Sequence, residues 1–300
     1  MFKKICIIGC GLIGSSLARA IKKNKLADKI FSSNRSKEIN KKVIELKIVD
    51  ESHSDTRKMV VDCDLVIIAT PLSSYESVIL KIKESLKSGS ILTDVGSVKG
   101  VILKLVEKYV PENVSWIPSH PIAGTEESGP EAGFSELFKN RWCILTPSQK
   151  AKEKDINLLQ SFWEKIGSKV DIMEAKKHDH ILSITSHIPH LIAYNIVSTS
   201  LNIQDEKKSE IVKYSASGLR DFTRIAASNP IMWRDIFIQN KKNTSEMVNK
   251  FIRNLEKLKK AIENEDGKKL EQIFSKTKKI RKDIVEAGQD VNKPNFGRKQ

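Results

Sequence analysis

The run Ile5-Cys6-Ile7-Ile8 is continuously apolar and stops at a glycine. Such a run reads as a strand buried on both faces. The glycines at 9, 11 and 14 then spell G-x-G-x-x-G, and a helical pattern runs from Ser15 to Lys22. Gly9 permits a tight turn, Gly11 lets backbone approach a pyrophosphate, and Gly14 lets helix and strand pack closely. The free N–H groups of the following helix would face the phosphates. Alone, the glycine pattern is weak. Between a strand and a helix it points to dinucleotide binding, with Gly9, Gly11, Leu12, Ile13 and Gly14 as cofactor-binding residues. The bland alternative is a strand–helix turn that binds nothing.

A chain of 300 residues suggests about two domains. Strand-like runs at Ile30–Ser33, Leu65–Ala69, Ile91–Val95, Val114–Pro118, Trp142–Thr146 and Lys169–Met173 alternate with helical patterns. That alternation argues an α/β fold with a parallel sheet. From Lys176 onward only helical patterns remain, so the boundary is expected near residue 174. The expected division is a dinucleotide-binding (Rossmann-like) domain over 1–173, an all-α domain over 174–288, and a frayed polar tail over 289–300.

The net charge of +15 attracts anions, whether a nucleotide, an acidic substrate or a nucleic acid. The lysines are spread along the chain, and the dense stretches at Lys257–Lys260 and Lys276–Lys282 lie in amphipathic helical patterns. A solvated surface is the preferred reading, and no nucleic-acid partner is expected. The four cysteines show no paired spacing and fall mostly in apolar runs, which suits buried thiols in a reducing cytoplasm. The basic, apolar start loosely mimics a signal peptide, but glycines interrupt it too soon. No apolar run approaches ~20 residues, so no membrane span is expected.

In a dinucleotide fold, an acid after the second strand holds the ribose hydroxyls of NAD, and a nearby Arg suits the extra phosphate of NADP. Here Asn34-Arg35-Ser36 stands at that place. The pattern leans toward NADP or dual use, unless Arg35 only stacks on the adenine or points to solvent. Thr70 and Pro71 end the Leu65–Ala69 run and should border the nicotinamide. Ser97 and His120 also follow strand-like runs, so the topology rule gathers all of these around one crevice. The Gly-rich stretch from Thr125 to Gly133 suits a lid.

In the second half, Pro189 should kink the apolar helix that carries His187 and His190. These two share a face. A metal site is the competing idea for the pair, but no convincing third ligand is present. Arg220 and Arg224 fall on one helical face.

Five segments then occur in order: Gly9–Gly14, Asp94-Val95-Gly96-Ser97-Val98-Lys99, Ser119-His120-Pro121-Ile122-Ala123-Gly124-Thr125-Glu126, Ser186-His187-Ile188-Pro189-His190 and Arg220-Asp221-Phe222-Thr223-Arg224-Ile225-Ala226. With them the chain closely resembles the prephenate/arogenate dehydrogenase family of tyrosine biosynthesis, from residue 3 to about 285. The resemblance implies oxidative decarboxylation of prephenate to 4-hydroxyphenylpyruvate, or of arogenate to tyrosine, with NAD or NADP as cofactor. It also implies a homodimer joined through the helical domain.

Loss of the C4 hydroxyl proton as hydride departs needs a base of near-neutral pKa, and His120 is the candidate. The family's catalytic His lies in this same His-Pro motif. Ser97 would bond His120 or the same hydroxyl; otherwise it caps the next helix. An arginine fork suits the substrate's carboxylates, and the resemblance assigns that task to Arg224, with Arg220 as a structural ion-pair partner. It assigns substrate binding to His190 and a more structural place to His187. Asp179 resembles a position that reaches across the dimer to close the partner's site. Thr125 and Glu126 fall where the family gates the pocket and senses the substrate side chain. The rivals are another reductase on the same fold and a non-catalytic nucleotide sensor.

Overall fold

The computed structural model describes residues 1–201, 213–214 and 217–286. The apolar runs of the first half become strands of one sheet. In chain order they are β1 (Phe2–Ile8), α1 (Leu12–Lys23), β2 (Ala27–Ser33), α2 (Lys37–Glu45), β3 (Glu51–Ser52), α3 (Thr56–Val60), β4 (Leu65–Ile68), α4 (Tyr75–Ile82), β5 (Ile91–Asp94), α5 (Gly100–Glu107) and β6 (Ser115–Trp116). The strand order is β3-β2-β1-β4-β5-β6, every neighbour parallel. The order reverses between β1 and β4, which is where an open parallel sheet leaves a crevice for ligands.

Both faces of the sheet are covered, as continuous apolar strands require. Ile5, Ile7, Leu65 and Ile67 pack in one core with Leu17 and Ile21 of α1. Cys6, Ile8, Val66 and Ile68 pack in the other with Ile79 of α4 and Ile102 of α5. The first helix starts at Leu12, three residues before the sequence pattern placed it, so Leu12 and Ile13 sit in its first turn.

The Val114–Pro118 run is not one strand. β6 ends at Trp116, and the chain re-enters extended structure as β7 (Ser119–Pro121) in a second sheet with β8 (Trp142–Leu145) and β9 (Lys169–Ile172). Pro118 has no N–H to continue a ladder. α6 (Glu153–Ile166) connects β8 to β9. His120 therefore lies within β7, opposite Ile144 of antiparallel β8, and not in a loop beyond the parallel sheet.

The helices that follow are α7 (Ala175–Leu182) and α8 (Ile188–Leu201), separated by a π-turn over Ser183–His187. Pro189 cannot donate to the carbonyl four residues back, and the wider turn accommodates the defect. A short helix, Ser217–Thr223, passes into a 3-10 turn, Arg224–Ala227, so Arg220 and Arg224 do not share one α-helical face. Asn229 caps the Pro230–Gln239 helix by accepting from the N–H groups of Ile231 (3.0 Å) and Met232 (3.1 Å).

The chain divides into two compact units, Met1–Thr244 and Ser245–Gln300. In the second, described residues form the greater part of the Lys241–Glu263 helix and the Gly267–Glu286 helix, with the break at 264–266 that the pattern marks. The tail expected at 289–300 lies outside the described residues. Among the described residues, no helix is long and apolar enough to cross a membrane.

Candidate active site

The glycine turn is built by sterics. Gly9 has φ +97°, and a Cβ there would meet the Ala69 carbonyl oxygen at 2.8 Å. A Cβ on Gly14 would lie 2.0 Å from the Gly9 carbonyl oxygen, so the third glycine is the price of packing α1 on the turn. Gly11 has nothing within 4 Å of its would-be Cβ. It caps α1 without a side chain, and no acid occupies the first turn. The unpaired N–H groups of that turn, with open space before them, fit the pyrophosphate of a dinucleotide.

The end of β2 is arranged differently from the expectation. Asn34 is buried, and its Oδ1 accepts from the Cys10 N–H at 2.6 Å while its Nδ2 donates to Asn40 Oδ1 at 3.1 Å. Its amide thus fixes the glycine turn to β2 and does not face outward. Ser36 is likewise engaged, capping α2 by accepting from the Ile39 N–H at 3.2 Å. Arg35 is exposed.

A cleft of about 290 Å³ opens along this edge. Gly11–Ile13, Ala69–Leu72, Val95–Ser97 and Thr125–Gly129 line it, joined by Met232 and Ile236. Thr70, Pro71, Ser97, Thr125 and Glu126 are thus brought to the glycine turn, as the topology rule required. His120, His190 and Arg224 are not part of this wall.

Beneath Gly96 and Ser97 lies a buried ionic cluster. Lys99 is fully buried, and its Nζ donates to both Asp94 oxygens (2.8 and 2.6 Å) and to the Ser119 carbonyl (2.7 Å). Asp94 also accepts from Tyr75 Oη (2.9 Å), the Gly96 N–H (2.9 Å) and the Ser119 N–H (3.1 Å). Burial lowers the Lys99 pKa and the Asp94 charge opposes it. Such a pair is weak as a source of stability but strong as a constraint on geometry. It locks the loop bearing Ser97 to the strand bearing His120.

His120 is 7% exposed, and its Nδ1 is 2.8 Å from His178 Nε2. His178 Nδ1 is 2.9 Å from Asp179 Oδ1. Asp179 accepts in addition from the N–H groups of Lys99 and Gly100, each at 2.8 Å. Two expectations are corrected here. The partner of His120 is His178 and not Ser97; nor does Ser97 cap α5, whose first N–H groups are held by Asp179. Asp179 does not reach outward, because both its oxygens are occupied inside its own chain. His120 Nε2 takes no hydrogen bond from the described residues, yet it is not sealed off as His187 Nε2 is. Burial holds the His120 pKa well below the ordinary imidazole value, with the charges of His178 and Lys99 adding to it.

Arg224 reaches the cleft through Glu126, Nη1 to Oε2 at 3.2 Å. His190 stacks on Trp233 with ring centroids 3.7 Å apart, and its Nδ1–H donates to the Ser186 carbonyl at 2.9 Å. Its Nε2 is therefore the acceptor. Burial lowers the His190 pKa, and the Arg224 charge adds to the effect. His187 is fully buried, meets Trp233 edge-on and accepts at Nδ1 from Asn240 Nδ2 at 3.1 Å. Its pKa is pushed down by burial to about 4.

Two family models match this chain: "Prephenate dehydrogenase, nucleotide-binding domain" over residues 17–172 and "Prephenate dehydrogenase, dimerization domain" over residues 174–276. The chain belongs to the prephenate dehydrogenase family. It is 37% identical over 281 residues to the cyclohexadienyl dehydrogenase of Zymomonas mobilis, covering 94% of this chain and 96% of that one. It is 33% identical over 282 residues to the prephenate dehydrogenase of Bacillus subtilis, covering 92% and 75%. The crystal structure of Aquifex aeolicus prephenate dehydrogenase, in complex with hydroxyphenyl propionate and NAD+, superposes with a TM-score of 0.88 at 32% identity, covering 95% of this chain and 99% of that one. As a member of this family the protein is an NAD(P)-dependent oxidoreductase.

Several residues of this prephenate dehydrogenase-family site escaped the sequence reading: His178 behind His120, the Asp94–Lys99 pair, and Trp233 under His190. Asp94 and Lys99 stood in a recognised segment, and His178 adjoined Asp179, but nothing in the spacing showed which groups they would meet. Among the described residues, no group of three or more His, Cys, Asp or Glu is placed to hold a metal ion.

Proposed function

We propose that the protein oxidatively decarboxylates prephenate to 4-hydroxyphenylpyruvate. The observation that carries this reading is buried His120, whose Nε2 has no partner among the described residues, on a strand that Lys99 ties through the Ser119 carbonyl to the loop bearing Ser97 in the cleft wall. Bound at that turn, a nicotinamide dinucleotide supplies a hydride acceptor. His120 Nε2 takes the proton of the C4 hydroxyl as the C4–H bond breaks with its electron pair leaving as hydride. The ring bond to the carboxylate then breaks, carbon dioxide departs, and its electrons aromatise the ring. The oxygen regains the proton from His120, so atoms and charge balance. Ser97 orients the hydroxyl from the cleft wall.

Arg224 binds a carboxylate of the substrate, His190 borders the substrate with its accepting Nε2, and Thr125 and Glu126 gate the entrance. The Arg224–Glu126 pair supports this, because a bound carboxylate can replace Glu126 on the guanidinium. A second reading is arogenate oxidation to tyrosine; a carboxylate at position 126 near the site favours a substrate bearing an ammonium group. Cofactor binding falls to Gly9, Gly11, Leu12, Ile13, Gly14, Thr70 and Pro71, with Arg35 at the ribose. The lack of an acid at Asn34 supports NADP or dual use.

The functional division lies at 173/174, and the helical part joins two copies into a homodimer. Phe251, Leu255 and Ile262 are exposed apolar residues at helical spacing, which supports a covered face. Four free, buried cysteines support a cytoplasmic setting. The test is initial rates for both substrates with both cofactors. Turnover of prephenate above that of arogenate supports the first reading, and the reverse order the second.

A further inference from the structure

We propose that His178 and Asp179 are positioning residues that set the tautomer and the basicity of His120; this rests on the proton-accepting task given to His120 above. The argument starts from the donors. Asp179, as a carboxylate, can only accept, and it already takes the N–H groups of Lys99 and Gly100. The hydrogen on the 2.9 Å contact to His178 Nδ1 therefore belongs to the histidine. With its proton on Nδ1, neutral His178 presents a lone pair at Nε2. The 2.8 Å contact to His120 Nδ1 then needs a hydrogen from His120. That leaves His120 with Nδ1–H and a bare Nε2, the nitrogen that has no partner among the described residues.

The chain Asp179–His178–His120 thus aims one lone pair out of a buried cluster. When His120 Nε2 gains the substrate proton, the imidazolium donates through His178 toward a fixed negative charge. No proton has to reach Asp179. The other charged or titratable groups facing His120 are Lys99 and Asp94 of the ionic pair, His187 from the π-turn and the Cys143 thiol from β8. Lys99 and His187 oppose the imidazolium, and the negative charges of Asp179 and Asp94, which both favour a protonated His178, act in the opposite sense. Because Asp179 also holds the start of α5, the same carboxylate ties the base to the loop of Ser97.

The direct test is 15N NMR of the imidazoles in the unmodified enzyme near neutral pH, with His120→Asn and His178→Gln used for assignment. Protonated Nδ1 and imine-type Nε2 in both rings are expected. A proton on His120 Nε2 overturns the proposal. Asp179→Asn removes the fixed negative charge, while an amide oxygen at the Oδ1 position still accepts from the Lys99 N–H and His178, and it is expected to lower kcat ~10²-fold or more with cofactor affinity little changed. His178→Gln leaves the Asp179 bonds to α5 intact. Its amide oxygen can still accept from His120 Nδ1 but the link to the Asp179 charge is cut, so kcat is expected to fall and the acid limb of kcat/KM to move. An acid limb that stays in place in both variants overturns the proposal. Absence of turnover with either substrate in the unmodified enzyme contradicts the proposed function instead, and leaves the tautomer measurement intact.

Discussion

Arg224 and Glu126 form an ion pair at the mouth of the cleft, 3.2 Å from Nη1 to Oε2, with more than a third of each side chain exposed. A pair this exposed contributes only ~0–1 kcal/mol to stability. Its significance is that it can be opened. Arg224→Ala is expected to raise KM for the dianionic substrate ~10- to 100-fold, through loss of a charged hydrogen-bond partner, while thermal stability stays near that of the parent. Glu126→Gln frees the guanidinium and is expected to lower KM for prephenate. An unchanged KM in Arg224→Ala removes that residue from the substrate site.

The glycine turn makes two different predictions. Gly14→Ala drives a Cβ into the Gly9 carbonyl, so both folding stability and cofactor affinity should fall. Gly11→Ala has room in the free protein. Its melting temperature should hold, yet cofactor affinity should drop ~10-fold or more, because the methyl lies where the pyrophosphate approaches. Calorimetric titration beside thermal melts separates the two. Equal cofactor affinity in Gly11→Ala and the parent contradicts the assignment of the turn.

Much of this was legible in advance because it depends on local sterics. The G-x-G-x-x-G segment between apolar strand and helix specifies its turn whatever surrounds it, and continuous apolar runs specify strands covered on both faces. Elements of marginal length were not legible: Glu51–Ser52 is too short to carry a period, and Pro118 divides what read as a single strand. The site was legible only as far as residue type reaches. His120, Ser97 and Arg224 could be nominated. That Asp179 turns inward to α5, that His178 stands between it and His120, and that Asn34 secures the glycine turn all follow from long-range packing, which no spacing encodes.

His187 supplies a pH prediction for stability. Its pKa is about 4 in the folded protein, lowered by burial, against about 6.5 when unfolded. Below the unfolded value the unfolded chain binds a proton that the folded chain refuses, so the unfolded state is favoured. The stabilisation is whole above pH ~6.5 and is lost progressively as pH falls toward ~4. Denaturant midpoints should decline over that window. In His187→Gln the decline should be shallower, so the gap between variant and parent narrows as the solution is acidified. A gap constant across the window contradicts a neutral, buried His187.

The catalytic base has its own pH signature. With its pKa held well below the ordinary imidazole value, His120 stays unprotonated through neutral pH in the free enzyme. The acid limb of kcat/KM should therefore lie below pH ~6.5, the unperturbed histidine value. A limb at or above that value contradicts the burial account of this imidazole.

The central claim is that His120 accepts the hydroxyl proton while hydride departs. It is tested most directly by the rate of nicotinamide reduction in His120→Asn at saturating prephenate, with the cofactor dissociation constant measured on the same preparation. The account predicts kcat ~10²- to 10⁴-fold below the parent at unchanged cofactor affinity. A kcat close to that of the parent contradicts it.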